Sequence, residues 1–187
     1  MEGELKKIVE DASVTMAKAV DHFEIELSKI RAGRASAAML DGIKIEYYGS
    51  PTLIAHVANI TTSDARTLVI EPYEKNLISA IEKAIRESNL GLTPTNDGIR
   101  IRIVLPPLTE ERRKQLVKQA KEEAENARIA VRNLRRDYNE QAKKLAKQGY
   151  SEDMIKATET EIQKLTDNYI KMIDNYLHKK ETEIMTV

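Results

Sequence analysis

The sequence predicts an α+β protein, a long antiparallel three-helix bundle with a small β/α domain inserted into it. Three stretches of roughly 27 to 37 residues carry apolar side chains at steps of three and four, the period of an amphipathic helix. Between the first two stretches, over residues 34–105, apolar residues alternate and turn signals recur, as in strands. The composition agrees, because 32% of the residues are charged and only 4% are aromatic, which suits long exposed helices around an aliphatic core.

The first helix is predicted over residues 4–30 and ends where Ala32-Gly33 interrupts its pattern. Glycine weakens a helix because its backbone loses more conformational freedom on folding than that of other residues. The apolar stripe of this helix consists of Leu5, Val9, Ala12, Met16, Ala19, Phe23, Leu27 and Ile30. A continuous stripe of this kind needs a partner surface, so the helix is expected to pack against the other two.

The inserted segment alternates between strand and helix signals. Strands are predicted at residues 43–47, 56–60, 67–70, 91–95 and 99–105, with a helix over residues 74–88. Tyr48-Gly49-Ser50-Pro51 predicts a turn after the first strand. Asn96-Asp97-Gly98 separates the last two strands and is typical of a hairpin turn.

The second and third helices follow the inserted segment. Pro106-Pro107 ends that segment, and Thr109 is expected to cap a helix that continues to about Lys147. Gly149 breaks this helix, and Ser151 begins the third, whose apolar residues repeat at heptad-like steps. Packing the three apolar stripes against one another buries all of them, which predicts an antiparallel bundle.

The order of these elements divides the chain into two domains, a discontinuous bundle (1–31 plus 107–187) and an inserted domain (32–106). Two short links with little other contact would allow the domains to move relative to each other. The candidate hinge residues are Ala32, Gly33, Arg34, Leu105, Pro106 and Pro107. The two prolines are interpreted first as stiffeners of the link, and a contact to a partner is the alternative.

Four arginines stand close together on the second long helix, although the chain carries no net charge. This arginine row consists of Arg128, Arg132, Arg135 and Arg136. At about 100° per residue the row falls within roughly 100° of the helix, beside the apolar stripe. The neighbouring sequence offers it few acids, Glu125 for Arg128 and Glu140 for Arg136. A largely unpaired row of guanidinium groups suits contact with phosphates, and a solvated helix face is the alternative.

Catalytic and metal-binding patterns are missing from the sequence, so we predict a binding protein rather than an enzyme, without cofactor or metal. There is no cysteine, and no nucleotide-binding, zinc-protease or nucleophile-elbow motif. The histidines His22, His56 and His178 lie far apart in the sequence and are interpreted as surface residues. No apolar run approaches the ~20 residues of a membrane span, and no signal core is seen, so a cytoplasmic protein without membrane contact is expected.

Tyrosines and two further arginines leave alternatives open. Tyr47-Tyr48 is interpreted as strand packing, with base stacking as the alternative. Arg31 and Arg34 either complement the dipole at the end of the first helix or contact a partner. Three tyrosines fall on the apolar stripes of the long helices and are expected in the core: Tyr138, Tyr169 and Tyr176.

Six blocks of the sequence form a recognisable series: Ile30-Arg31-Ala32-Gly33-Arg34-Ala35, Glu46-Tyr47-Tyr48-Gly49, Leu90-Gly91-Leu92 with Pro94, Leu105-Pro106-Pro107-Leu108-Thr109-Glu110-Glu111-Arg112-Arg113-Lys114, Val131-Arg132-Asn133-Leu134-Arg135-Arg136 and Gln163-Lys164-Leu165-Thr166-Asp167. These blocks, in this order, resemble the bacterial ribosome recycling factor family. The resemblance implies an L-shaped molecule with the two domains deduced above. Asn89, Thr93 and Tyr138 depart from the commoner family pattern, but they lie outside the arginine row.

The resemblance also implies a function and roles for particular residues. Such a factor acts after termination: it binds the large ribosomal subunit and, with elongation factor G and GTP hydrolysis by that factor, splits the ribosome and releases mRNA and tRNA. Arg132 matches the main ribosomal RNA contact, with Arg128, Arg135 and Arg136 in the same patch. Arg31 and Arg34 match a basic pair near the hinge, and Arg31 is counted among the RNA contacts. The inserted domain would meet elongation factor G, and the factor would act as a monomer.

Two other classes of protein remain as alternatives from the residues alone. A coiled-coil scaffold or chaperone would use the long helices to bind partner proteins. A small β/α enzyme with a helical dimerisation arm would use the inserted domain for chemistry.

Overall fold

The structure is a computed structural model that describes residues 2–186. The helices are α1 (Glu2–Ser28), α2 (Ile54–Val57), α3 (Ile78–Glu87), α4 (Glu110–Lys144) and α5 (Glu152–Met185). The strands are β1 (Lys44–Tyr47), β2 (Ser50–Leu53), β3 (Ala58–Asp64), β4 (Thr67–Pro72), β5 (Pro94–Asn96) and β6 (Ile101–Val104). Long helices and a small antiparallel sheet confirm the predicted α+β class.

The chain forms two compact units. The bundle unit contains the residues up to Arg31 together with Glu110–Thr186, and the β/α unit contains Ala32–Thr109. The sequence places the second boundary after Pro106, whereas the β/α unit of the structure extends to Thr109 and so includes Pro107, Leu108 and Thr109.

In the bundle unit α1, α4 and α5 each pack against the other two. A short 3-10 turn, Leu145–Gln148, and Gly149 with φ of +95° connect α4 to α5. This left-handed backbone is the conformation in which glycine ends helices at low steric cost. Ser151 then caps α5, because its side chain accepts a hydrogen bond from the backbone N–H of Met154 at 3.2 Å. Both breaks lie where the sequence predicts them.

The core of the bundle unit follows the predicted stripes with small shifts. On α1 the structure buries Val20 where the periodicity places Ala19, which is half-buried along with Val9. Steps of three and four are nearly equivalent on a helix, so sequence alone does not decide between neighbours. The face of α4 is rich in alanine, which allows close approach of the helices: Leu116, Ala120, Ala124, Ala127, Val131 and Ala142 are buried.

The three tyrosines of the long helices lie at the edge of the core, so their prediction as core residues is wrong. All three are half-buried. Tyr138 Oη lies 2.8 Å from Thr15 Oγ1, and Tyr169 Oη lies 3.1 Å from Ser13 Oγ. A hydrogen bond to Glu24, together with burial, raises the pKa of Tyr176. Phenol groups need polar partners, and α1 provides them along its edge.

The β/α unit contains two antiparallel sheets. One pairs β1 with β2, and the other has the strand order β3-β4-β6-β5. Strand β2 was not predicted, and the predicted strand over residues 56–60 begins instead as helix α2, with β3 starting at Ala58. Both predicted turns are present, although Ser50 and Pro51, predicted in the first of them, belong to strand β2. Tyr48 and Gly49 have φ of +50° and +78° in the tight turn between β1 and β2.

The interior of the β/α unit is aliphatic. Helix α3 covers the sheet with Ile78, Ile81 and Ile85. They pack in one cluster with buried residues of the strands and loops, namely Met39, Leu40, Ile45, Ile54, Val57, Ala58, Leu68, Ile70, Ile101, Ile103 and Leu105. With Ile54, Ile70, Ile81 and Ile103 almost wholly inaccessible, the unit has a core of its own.

The chain segments that enter and leave the β/α unit are fastened at the same place. The backbone N–H of Ala35 donates to Ala65 O at 2.8 Å, and that of Leu105 donates to Arg66 O at 2.7 Å. Gly33 has φ of +77°, and a Cβ at this position would come within 2.8 Å of Leu108 Cγ. Gly33 is therefore required both for its backbone conformation and for its contact with the departing segment.

Gly33→Ala should lower the stability of the β/α unit more than Gly42→Ala does. Both glycines have positive φ, +77° and +86°, but nothing lies within 4 Å of a Cβ at residue 42. We expect about 1 kcal/mol for Gly42→Ala and a further 1–2 kcal/mol, roughly, for the crowding of Leu108 at residue 33. Calorimetric melting of both variants measures the difference. Equal losses of stability in the two variants would contradict the close contact between Gly33 and Leu108. Adding Leu108→Ala to the Gly33 variant should recover part of its additional loss.

Candidate nucleic-acid interface

The arginine row lies on α4, directly beside the face that packs into the bundle. Ala127 and Val131, at 7% and 0% exposure, alternate with the first arginines of the row and fix how α4 is turned about its axis. Arg128, Arg132 and Arg135 are consequently half-buried along their stems, and Arg136 is exposed. Long basic side chains often bury their methylene groups in this way and keep the charged end in water.

Arg128 is paired twice, with the Glu125 that the neighbouring sequence offers it and with Asp174, which the sequence did not indicate. Its Nε and Nη2 donate to Asp174 Oδ1 on α5 at 2.9 and 2.7 Å, and its Nη1 donates to Glu125 Oε2 at 3.1 Å. Burial opposes the charged form, but the hydrogen bonds to Asp174 and Glu125 outweigh it and raise the pKa of Arg128. The local sequence could not predict the contact with Asp174, because Asp174 lies 46 residues from Arg128 in the chain. Arg128 joins α4 to α5.

The remaining arginines are held more loosely. Arg132 Nη1 lies 3.5 Å from Glu125 Oε1, and Arg135 Nη1 donates to Gln163 Oε1 at 3.3 Å. Within residues 2–186 Arg136 makes no ion pair, so the expected pairing with Glu140 is absent. The row therefore contains two arginines that are held weakly or not at all: Arg132, whose side chain is 43% exposed, and Arg136, which is exposed.

Four lysines of α4 extend the row, and the sequence reading missed them. They lie in the same sector of the helix as the arginines, at about 100° per residue: Lys114, Lys118, Lys121 and Lys143. All four are exposed. We call this set together with the arginine row the basic track; it runs roughly 44 Å along α4 at 1.5 Å per residue. Acids, most of which lie on other faces of α4, separate these basic residues in the sequence, and steps of three and four residues bring the basic residues onto one face.

The two arginines near the predicted hinge lie outside the basic track. Arg31 and Arg34 are exposed and follow the end of α1. The contact between Thr15 and Tyr138 sets the register of α1 against α4. By this register Ser28, the last residue of α1, lies roughly 5 Å further along the bundle than Arg128. Arg31 follows Ser28 and so lies beyond the Arg128 end of the row.

The predicted hinge residues lie in the segments already described. Ala32 and Leu105 are buried at 4% and 7% exposure. Arg34, Pro106 and Pro107 are exposed. The prolines line a cavity of about 380 Å³ together with Arg66, Gly91, Leu92, Thr93, Val104 and Leu105.

Other candidate groups are placed as follows. His22, His56 and His178 are exposed, as expected. Tyr47 packs edge-on against Tyr48 with ring centroids 4.5 Å apart, and its hydroxyl donates to Glu74 at 3.3 Å. Tyr48 itself is 83% exposed, so the prediction of strand packing holds for Tyr47 only.

Across residues 2–186 no cluster of acids and histidines could hold a metal ion, and no helix is long and apolar enough to cross a membrane.

Comparison with known proteins decides the family. The profile described as "Ribosome recycling factor" matches residues 23–185. Curated ribosome-recycling factors from Amoebophilus asiaticus and Flavobacterium johnsoniae are 56% and 51% identical, over 98% and 100% of this chain and 99% and 100% of theirs.

The chain belongs to the ribosome recycling factor family.

Solved structures agree with this assignment. A solution structure of a ribosome recycling factor is 44% identical and covers 98% of both chains, with a TM-score of 0.75. A second structure, 45% identical with a TM-score of 0.62, covers 97% of this chain and 98% of its own. It is described as the T. thermophilus factor and the E. coli elongation factor G bound to the E. coli post-termination complex.

The family assignment confirms several predictions made from the sequence. The resemblance stated there is correct, and it extends over nearly the whole chain. The chain is a translation factor of ribosome recycling and protein biosynthesis, and not an enzyme. A general scaffold and a small β/α enzyme are thereby set aside.

Arg128→Ala should destabilise the bundle unit, because Asp174 and Glu125 lose their shared partner. We expect a loss of about 1 kcal/mol, since the pair is charge-assisted but partly exposed. Arg136→Ala, the control on the same helix, should change the free energy of unfolding by less than ~0.5 kcal/mol. Urea unfolding followed by circular dichroism measures both. If the two variants unfold alike, Arg128 does not join the helices energetically.

Proposed function

We propose that the chain binds the large subunit of the post-termination ribosome through ribosomal RNA and splits the subunits. The splitting requires elongation factor G and GTP hydrolysis by that factor, and it releases mRNA and tRNA for another round. The chain acts in the cytoplasm and as a monomer. The observation that carries the proposal is the arginine row, held on one face of a long helix whose rotation the core fixes.

The chemistry of the row suits RNA phosphates. Guanidinium groups donate in a planar fork that matches phosphate oxygens and remain charged at any physiological pH. Structured RNA is recognised largely through shape and backbone contacts, which a rigid helix face can match without reading bases. Arg132 and Arg136 offer the exposed groups for this purpose, Arg135 supports them, and Arg128 contributes mainly by orienting the row. Arg31 is a separate candidate contact.

A relative supports the partners named here. The T. thermophilus factor is described together with elongation factor G on a post-termination complex. Because this chain is similar to that factor along nearly its whole length, we assign it the same two partners. The bundle unit would anchor on RNA, and the β/α unit would be pushed by elongation factor G.

The proposal requires the two links between the units to act as a hinge. Ala32, Gly33 and Arg34 form the first link, and Leu105, Pro106 and Pro107 form the second. The close packing of Gly33 against Leu108 restricts the first link, and the fixed φ of the prolines restricts the second. A restricted link transmits a push on the β/α unit better than a flexible one.

Arg132→Ala should weaken binding to vacant large ribosomal subunits. The loss of one charge-assisted phosphate contact should cost about tenfold in affinity, and the binding should weaken steeply with salt. Pelleting of the subunits at increasing salt measures this. Arg86→Ala is the matched control, because Arg86 lies on α3 and is paired with Glu82. Undiminished binding of the Arg132 variant would contradict the assigned contact, and a chain that never pellets would contradict the proposed function.

Replacing both Pro106 and Pro107 by glycine should impair splitting more than binding. Glycine frees the backbone that proline restricts, so a push on the β/α unit would be transmitted poorly. Splitting of post-termination ribosomes, followed by light scattering with and without elongation factor G and GTP, gives the first quantity, and pelleting gives the second. Equal losses in both would count against the hinge. Splitting without elongation factor G would refute the proposed mechanism.

A further inference from the structure

Glu125 interrupts the basic track. Between residues 114 and 143 it is the one acid of the described helix α4 whose position falls in the sector of the track, at about 100° per residue. It lies between Lys121 and Arg128, one turn from each. Glu125 is exposed, so no burial or packing requirement explains a carboxylate at this position.

The carboxylate of Glu125 contacts two arginines at once. Its Oε2 accepts from Arg128 at 3.1 Å, and its Oε1 lies 3.5 Å from Arg132. The first arginine has a second and shorter partner in Asp174, so it stays in place without Glu125. Arg132 has Glu125 as its partner, in a pair in which both side chains are about half exposed, at 43% and 52%.

A pair of this kind is easily exchanged. Ion pairs between solvent-exposed side chains contribute little stability, and salt screens them. A phosphate offers the guanidinium the same kind of oxygen acceptors in a stronger, bidentate arrangement. Once phosphate is bound to Arg132, however, the carboxylate of Glu125 remains nearby and repels it.

We propose that Glu125 is an internal competitor for the phosphate-binding site of Arg132. In the free chain its carboxylate occupies the guanidinium, and on binding an RNA phosphate displaces it. The carboxylate limits the affinity of the basic track for RNA, so the factor can leave the subunit after splitting. This inference rests on the proposed binding of ribosomal RNA by the arginine row.

Glu125→Gln tests the competition most directly. Glutamine keeps the length and the acceptor oxygen but removes the charge. Asp137→Asn is the matched control: it makes the same change in net charge on an exposed residue of α4, about 120° around the helix from Glu125. Binding of the full chain to vacant large ribosomal subunits is measured from low to high salt, with thermal melting to verify folding.

The Glu125 variant should bind about three- to tenfold more tightly near 0.1 M salt. Its affinity should fall more steeply with salt, by roughly 0.9 in the logarithmic slope, because one more cation is available to replace counterions. The control should follow the unaltered chain. If both variants gain equally, the effect is one of net charge, and the proposal is overturned; an unchanged affinity of a folded Glu125 variant overturns it too.

A double variant separates this inference from the proposed function. In the background of Arg132→Ala the gain from Glu125→Gln should fall to less than half, because the guanidinium that Glu125 occupies is gone. A full gain there would overturn the competition for Arg132 while leaving RNA binding intact. If Arg132→Ala alone has no effect on binding, the proposed RNA-binding site itself is wrong. That outcome is read from the single Arg132 variant and does not depend on the Glu125 variant.

Discussion

The rotation of α4 about its own axis is the constraint on which the candidate site depends. Buried alanines and Val131 pack this helix against α1 and α5, so little rotation is possible without exposing them or overpacking the core. The arginines of the row lie beside these buried residues on the helix, so their side chains all extend from the same side of the bundle. A basic track of roughly 44 Å becomes rigid because the core beside it is rigid.

The arginines of the row then divide according to their neighbours. Arg128 faces Asp174 across the groove between α4 and α5 and becomes a structural link. Arg132 and Arg136 point further from the core and keep groups that a phosphate can reach. A single sequence pattern thus contains two physical roles, and the acids nearby decide which arginine takes which role. The chain as a whole has no net charge. It can still present a basic surface, because the basic residues of α4 lie on one face of the helix and most of its acids lie on other faces.

Much of the fold could be predicted from the sequence, because the long helices have strong periodicity and Gly149 and Ser151 mark their breaks clearly. The short strands and helices of the β/α unit were harder to predict. Strand β2 contains a proline beside a tight turn, and α2 is only four residues long. For the site, the arginines were found by local density. Contacts between helices, such as Arg128 with Asp174 or Tyr138 with Thr15, depend on packing register and could not be predicted.

The most direct test of the central claim is the reactivity of individual arginines towards phenylglyoxal, read by mass spectrometry with and without vacant large ribosomal subunits. Arg132 and Arg136 should react in the free chain and be protected when the chain is bound. Arg86, on α3 of the β/α unit, should react equally in both states. Full reactivity of Arg132 and Arg136 in the bound chain would contradict an RNA contact through the exposed arginines of α4.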